Sequence, residues 1–383
     1  VIFSHRKKEL VDKVRDRLDG VEYFIEMYSD AELNGKDVGF ETIKNIGNKL
    51  YENGNNALLD TKIDKDEFKV LIFTSGTTSA SKGVMVCNRN LTENVYACQC
   101  YVYLRQKDKL FSVLPLHHTY ESTIGFLYPF SQGASVAVCE GLKYLVSNLK
   151  ETKPTAILAV PLLLENLYKK INQNIKKSGK ETIVNSMIHV TNALKAVGID
   201  IKRKVFAEIL ENLGGNLRII VSAAAPMDKK IAKWLEDIGI EFLQGYGLTE
   251  TAPISALTPE SDTRTGSVGK AVVCAQIKIN NPNEDGEGEV WIKSSTLMLG
   301  YYEMEEETKK VIKDGWFNSG DIGYLDKDGY LYITGRSKNV IVTANGKNIY
   351  PEEIELILGN IPYISECMVY GKGEKDNLTV SVK

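Results

Sequence analysis

The chain has 383 residues, 43% of them hydrophobic and 25% charged, enough for two or three domains with sizeable cores and ordinary for a water-soluble globular protein. A formal net charge of −3 gives no basic footprint for nucleic acid, so nucleic-acid binding is not expected. The longest apolar stretch, TAILAVPLLLENL, is broken by Pro161 and Glu165 and falls short of a membrane span, which leaves peripheral contact as the form any membrane association takes.

The opening, VIFSHRKKEL, shows neither initiator methionine nor signal-peptide pattern, as expected of a piece begun inside a longer protein. Six cysteines at 87, 98, 100, 139, 274 and 367 lack a CxxC and lie mostly in apolar runs. That is the pattern of reduced, buried thiols in a cytoplasmic protein, without disulfide or zinc. In the first 60 residues VRDRL closes an amphipathic helix, VEYFIEMY alternates like a strand, and FETIKNIGNKLYENG has helical spacing with glycine at its end. From residue 68 onward KVLIFT, KLFSVLPL, ASVAVC, TAILAV, LRIIVSA and IEFLQG are short β-rich runs, several of them separated by segments of helical period. The alternation predicts an α/β fold with a parallel-rich sheet covered by helices, and a ligand at the carboxyl ends of its strands. The lysine- and asparagine-rich YKKINQNIKKSGKETIVNSMIHV reads as a solvated helical face, its apolar positions being sparse for an interfacial helix.

Near residue 262 the texture changes. SVGKAVVCAQIKIN, GEGEVWIKS and GYLDKDGYLYITG are strands separated by Gly, Asn and Asp, with a hairpin signal at Asp328-Gly329, and predict a β-rich part in the form of a small barrel. After Gly335, RSKNVIVTANGKNIYPEEIELIL predicts a strand, a turn and a helix with Pro351 first and Glu352 and Glu353 at the positive end of its dipole.

Four stretches carry chemistry. TSGTTSASKG, residues 74–83, fails the GxxxxGK[ST] pattern, because Ser81 stands where glycine is needed and Gly83 where a hydroxyl is needed. As a strand–loop–strand connection it offers backbone N–H groups, the hydroxyls of Thr74, Ser75, Thr77 and Thr78, and the Lys82 ammonium to phosphate; composition alone leaves a mobile Ser/Gly connector equally open. QGYGLTET, 244–251, sets Tyr246 four residues before Glu250, an aromatic for stacking on a base and a carboxylate for a divalent cation, with Thr249 suited to a phosphate oxygen. GWFNSGDIG isolates Asp321 between glycines, where it can accept both hydroxyls of a ribose, and GRSKN supplies Arg336.

In this order the four stretches resemble the adenylate-forming superfamily of AMP-binding enzymes, which includes acyl-CoA synthetases, peptide-synthetase adenylation domains and firefly-type luciferases. The resemblance implies the acyl-adenylate-forming fold, with residues 1–60 a remnant of the first α/β lobe, 61–261 the second, 262–335 the β-barrel part, and 336–383 the hinge and start of a mobile C-terminal α+β domain. It implies that ATP and a carboxylic acid give an acyl-adenylate, whose acyl group passes to a thiol such as coenzyme A. By motif, Thr74, Ser75, Gly76, Thr77, Thr78 and Lys82 would bind the phosphates; Ala224, Ala225 and Pro226 of SAAAP, with Gln244, Gly245, Tyr246 and Gly247, would form the adenine site. Thr249 would meet the α-phosphate, Thr74 and Glu250 would hold Mg²⁺, and Thr249, Glu250 and Lys82 are the catalytic candidates. Asp321 and Arg336 would bind the ribose, Lys338 would be the hinge, and Gly346 would let the pantetheine arm pass. His118 in LPLHHTYE would line the acid site. The loop departs from the family at Ser79 and Ser81, where glycine and proline are usual. The family's adenylation lysine falls beyond Lys383, and no lysine here takes its role. The lysine at 338 and the sequence around it resemble long-chain acyl-CoA synthetases, so the expected function is activation of a medium or long fatty acid. A peptide-synthetase adenylation domain, with Glu121 as its acid, and a catalytically inactive acyl-adenylate-binding module are the alternatives. Oligomeric state is not legible.

Overall fold

The computed structural model describes residues 1–74, 81–260, 262–342, 348–359, 361, 364, 367–371 and 378–382. Two units, Val1–Asp64 and Lys65–Lys383, are taken each by itself. In the first, β1 (Ile2–Phe3), β2 (Phe24–Glu26) and β3 (Asp37–Gly39) make a parallel sheet in that order, with Phe3, Val11 and Phe24 as its core. The alternation in VEYFIEMY yields only the three residues of β2, because the chain turns out of the strand at Tyr28, whose φ is +60°. FETIKNIGNKLYE forms the expected helix, Phe40–Glu52.

In the second unit β4 (Phe68–Thr74) and β5 (Lys82–Cys87) pair antiparallel, with Thr74 opposite Lys82. KVLIFT is therefore not part of the parallel sheet that the sequence pattern placed it in. That sheet is built from β6 (Lys109–Ser112), β7 (Ser135–Val138), β8 (Ala156–Ala159), β9 (Ile219–Ser222) and β10 (Glu241–Gly247), to which β11 (Ile254–Leu257) and β12 (Lys270–Ala271) add antiparallel. The order is β12-β11-β10-β9-β8-β6-β7. AILA of β8 and IIVS of β9 are buried at every position because both sheet faces are covered. Ile157 and Ile220 face a core shared with Leu164, Ile171, Trp234 and Leu235, from the helices Pro161–Lys177 and Lys229–Asp237. Leu158 and Val221 face the other way, onto Ala97, Ile124 and Tyr128. Pro161, which breaks the apolar run, sits at the start of its helix, where a missing N–H costs nothing.

The β-rich part contains β13 (Ala275–Asn280), β14 (Gly288–Ser294), β15 (Gly300–Tyr301), β16 (Ile312–Lys313), β17 (Trp316–Leu325) and β18 (Leu331–Arg336). The expected small barrel takes the form of an antiparallel sheet, β13-β14-β17-β16 with β18 also on β17, and no strand pair closes it among the described residues. β15 leaves that sheet and pairs with β5. The hairpin signal at Asp328-Gly329 lies between β17 and β18, with Gly329 at φ +82°. Beyond Gly335, β19 (Ile341–Val342) pairs with β20 (Asn348–Ile349), the helix Pro351–Leu358 starts on its proline, and β21 (Cys367–Gly371) pairs with β22 (Leu378–Val382). No helix among the described residues is long and apolar enough to cross a membrane.

Arg218, just before β9, ties the amino-terminal edge of the parallel sheet together. Its guanidinium donates to both Asp108 oxygens at 3.2 and 3.0 Å, to the Tyr103 carbonyl at 2.7 Å and to Glu260 at 3.2 Å. Burial alone would raise Asp108; Arg218, the Arg105 amide and the Thr155 hydroxyl overcome it and hold the carboxyl at about 2. Arg218→Ala leaves a buried carboxylate without its counter-ion, and urea unfolding is expected to show a loss of about 3 kcal/mol. A loss below about 1 kcal/mol, the range of exposed pairs, would assign this network no structural role.

Candidate functional site

Strand β10 carries QGYG out of the parallel sheet and delivers the next residues to the carboxyl end. The register with β11 shifts between Tyr246 and Gly247, where the two strands approach so closely that a Cβ on Gly247 would stand 1.8 Å from the Pro253 carbonyl oxygen. Only glycine fits, so this residue of the motif has a structural reason independent of any ligand. The chain then makes a tight turn, Thr249–Thr251, held by the Thr251 hydroxyl, which donates to the Leu248 carbonyl at 3.0 Å and accepts from the Leu248 amide at 3.0 Å.

Two side-chain clusters hang from this strand end. In the first, the buried Tyr246 hydroxyl donates to Asp321 Oδ2 at 2.6 Å, and Arg336 Nε lies 2.9 Å from Asp321 Oδ1. Asp321 and Arg336 are cross-strand partners because the β17–β18 register slips by one residue between Ile322 and Gly323. Without that bulge Asp321 would face Gly335 and the arginine would fall out of step. Burial raises the Asp321 carboxyl, opposed by Arg336 and Tyr246, with Glu250 near enough to raise it further. Each Asp321 oxygen keeps a lone pair for a ligand hydroxyl.

In the second cluster, Glu250 Oε1 accepts from the Tyr301 hydroxyl at 2.9 Å, and the Glu250 carbonyl accepts from the Met298 amide at 2.8 Å. Tyr301 reaches it because β15 pairs with β5, Tyr301 opposite Val84. Lys82, two residues before Val84, places its Nζ 4.8 Å from the Tyr301 ring centroid and 2.9 Å from Glu307 Oε2. Neither Tyr301 nor Glu307 was singled out from sequence. Their link to Lys82 and Glu250 runs through a strand pairing across more than two hundred residues, which no local pattern announces.

Ala224, Ala225 and Pro226 form an exposed turn after β9, with Ala224 at φ +77°, so small side chains line the carboxyl end beside β10. Gln244 is buried, and its backbone pairs with Thr258; Gly245 lies on β10 between it and Tyr246, and Thr249 is half-buried in the turn. Lys338 is exposed beyond β18. Ser75, Gly76, Thr77, Thr78 and Gly346 lie outside the described residues, so of the side chains expected to meet phosphate in the 74–83 loop, only those of Thr74 and Lys82, opposite each other at its two ends, are placed. His118 is exposed on the loop after β6, its ring 4.3 Å from that of His117; partial burial and this neighbour push its pKa down. It is not brought into either cluster by any contact among the described residues.

A carboxylate and a hydroxyl, Glu250 and Thr74, are oxygen donors of the kind Mg²⁺ accepts when phosphates and water supply the rest of its shell. No group of three or more His, Cys, Asp or Glu among the described residues forms a metal cage by itself.

The family model for AMP-binding enzymes matches residues 2–302. The chain belongs to that family. Among curated relatives, a long-chain-fatty-acid–CoA ligase of Mycobacterium bovis is 33% identical over 316 residues, covering 79% of this chain and 52% of its own. The peroxisomal long chain acyl-CoA synthetase 6 of Arabidopsis thaliana is 32% identical over 338 residues, covering 83% and 48%. The chain thus spans about half the length of the curated relatives it matches. Among solved structures, an anthranilate CoA ligase in complex with anthranoyl-AMP superposes with a TM-score of 0.72 at 20% identity, over 100% of this chain and 67% of that one. ATP-bound MatB from Rhodopseudomonas palustris gives 0.68 at 22% identity, over 98% and 71%. These superpositions show the adenylate-forming fold.

Beside the loop that carries His118, the π-helical segment Tyr120–Leu127 buries Glu121 completely. Neither carboxylate oxygen makes a hydrogen bond of normal geometry. A Cβ at Gly125 would lie 2.7 Å from this carboxyl group, so the glycine makes room for it. Burial pushes Glu121 up to about 7, the Ser112 hydroxyl opposing only part of the shift. A carboxyl easier to protonate folded than unfolded adds no folding cost below its ordinary value of 4.5, and a cost that grows as pH rises to about 7. Glu121→Gln should therefore gain on the wild type between pH 4.5 and 7.5 by on the order of 3 kcal/mol, read from urea midpoints at the two pH values. A difference that does not change with pH would show that Glu121 titrates normally.

Proposed function

We propose that this chain is the nucleotide- and acid-binding part of an ATP-dependent ligase that activates a medium- or long-chain fatty acid to its acyl-adenylate and passes the acyl group to coenzyme A. The observation that carries this is the convergence, at one strand end of an AMP-binding family member, of Tyr246, Asp321 and Arg336 in one hydrogen-bonded cluster and Glu250 and Lys82 in another. The relatives' names supply the substrate class.

In this reading Asp321 accepts the ribose hydroxyls with its spare lone pairs, while Arg336 keeps the buried carboxylate charged and aimed. The small turn Ala224–Ala225–Pro226 and the Gln244–Gly247 strand end flank adenine, on which Tyr246, its hydroxyl held by Asp321, would stack. The carboxylic acid attacks the α-phosphorus, Thr249 donating to that phosphate and Lys82, with the hydroxyls of the loop Thr74–Thr78, holding the departing pyrophosphate. Catalysis is positioning and charge neutralisation. Mg²⁺, carried in with ATP onto Glu250 and Thr74, would neutralise phosphate charge. His118 would stand at the acid entrance, Lys338 at the hinge and Gly346 along the thiol path. Domain limits of 1–60, 61–261, 262–335 and 336–383 belong to the same reading, as does a cytoplasmic setting, with which six unpaired cysteines accord. Glu121 favours a fatty acid over an amino acid: a fully buried carboxyl that titrates near 7 is a poor counter-ion for a substrate ammonium.

The test is thermal stabilisation by non-hydrolysable acyl-adenylates of increasing chain length. A ligand at a hundred times its dissociation constant adds about 2.7 kcal/mol, so the shift should be plain, should grow with acyl length, and should vanish in Asp321→Ala. Stabilisation by aminoacyl-adenylates and not by fatty ones would replace this reading with an amino-acid-activating domain.

A further inference from the structure

Lys82 already has an anionic partner. Its Nζ is 2.9 Å from Glu307 Oε2, and the pair is half withdrawn from solvent, with side-chain exposures of 19% and 36%. Glu307 is no wandering surface residue. It lies on the helix Glu305–Val311, whose Thr308 hydroxyl accepts the Tyr301 amide at 2.9 Å and donates to the Met304 carbonyl at 3.1 Å. That fixes the helix to β15, the strand whose Tyr301 ring sits under the lysine. Glu307 also holds Lys310 through its other oxygen, and Lys310 first, then Lys82, hold its carboxyl down at about 2.

We propose that Glu307 is the resting counter-ion of Lys82, exchanged for the pyrophosphate group when nucleotide binds, and that it thereby sets the site's affinity for ATP and pyrophosphate. This rests on the reading of Lys82 as a phosphate residue. The ammonium has three donors and no acceptor, so a phosphate oxygen takes the place that Glu307 gives up. When Lys82 leaves, Glu307 keeps Lys310 and is not stranded without a cation. The exchange trades one partly exposed ion pair for another, so it tunes affinity rather than blocking binding. The counter-ion also holds the lysine over the Tyr301 ring.

The test is calorimetric binding of magnesium pyrophosphate to the full chain in four forms: wild type, Glu307→Gln, Lys82→Ala and the double variant. Removing the competitor should tighten binding roughly two- to fivefold in Glu307→Gln, the scale of a partly exposed ion pair. Lys82→Ala should weaken binding, and in its background the gain from Glu307→Gln should shrink, because there is no lysine left to release. An equal gain in both backgrounds would mean general charge repulsion and overturn the exchange. A loss of affinity in Glu307→Gln would also overturn it, making Glu307 a residue that aims Lys82. If Lys82→Ala binds as the wild type does, Lys82 is not a phosphate residue, and the underlying reading fails along with this one. Lys82→Met, which keeps the stem over Tyr301, replaces alanine if that variant melts early.

Discussion

The bond between the Tyr246 hydroxyl and Asp321 is the contact on which the candidate site depends. It joins the end of the parallel sheet to the antiparallel one, and both partners are buried, so neither can exchange the other for water without cost. Asp321 carries a carboxyl that burial disfavours as an anion; Arg336 and Tyr246 together make that anion tolerable. Because the tyrosine is fixed by strand β10 and the arginine by the β17–β18 register, the carboxylate has one position available to it. A carboxylate held this way would offer the ribose of the proposed reading a fixed two-point acceptor.

The backbone reaches this arrangement through two register slips. One, at Tyr246/Gly247, brings the strand end against Pro253 at a distance only glycine permits; the other, at Ile322/Gly323, puts Asp321 opposite Arg336. A Cβ on Gly323 would stand 2.3 Å from the Tyr332 carbonyl oxygen, so the second slip also needs a glycine. Gly247 of QGYG and Gly323 of GDIG are thus explained by packing before any nucleotide is considered, and what they permit is the placement of the side chains beside them.

Much of the parallel core was legible, because buried strands such as AILA and IIVS are continuous apolar runs. The direction of β4 was not, since an apolar run says nothing of its partner. The Asp328-Gly329 hairpin was legible because its turn needs a positive φ; whether the strands around it close was not, since closure depends on pairings far apart in sequence. Of the site, Tyr246, Asp321, Arg336, Glu250 and Lys82 could be named from four short motifs, but their grouping into two clusters could not. Tyr301 and Glu307 had no local signal at all. The buried state of Glu121 was equally hidden, because a glutamate one turn after His117 and His118 reads as polar until the π-helical segment folds it inward.

The charged groups named at this strand end share one property: each has a partner within the protein. Asp321 has Arg336, Lys82 has Glu307, and Glu250 has the Tyr301 hydroxyl. An unpartnered charge withdrawn from water is costly, and a partner within the protein offsets that cost. A ligand must then compete with the partner. The partners differ in how much they resist. Tyr246 is buried and closes its bond from within the core, whereas Glu307 is more exposed and keeps a second lysine, so in the proposed reading Asp321 would bind by adding hydrogen bonds to those it has and Lys82 by exchange. On this physical ground the ribose end of the proposed site would be preformed and its phosphate end adjustable.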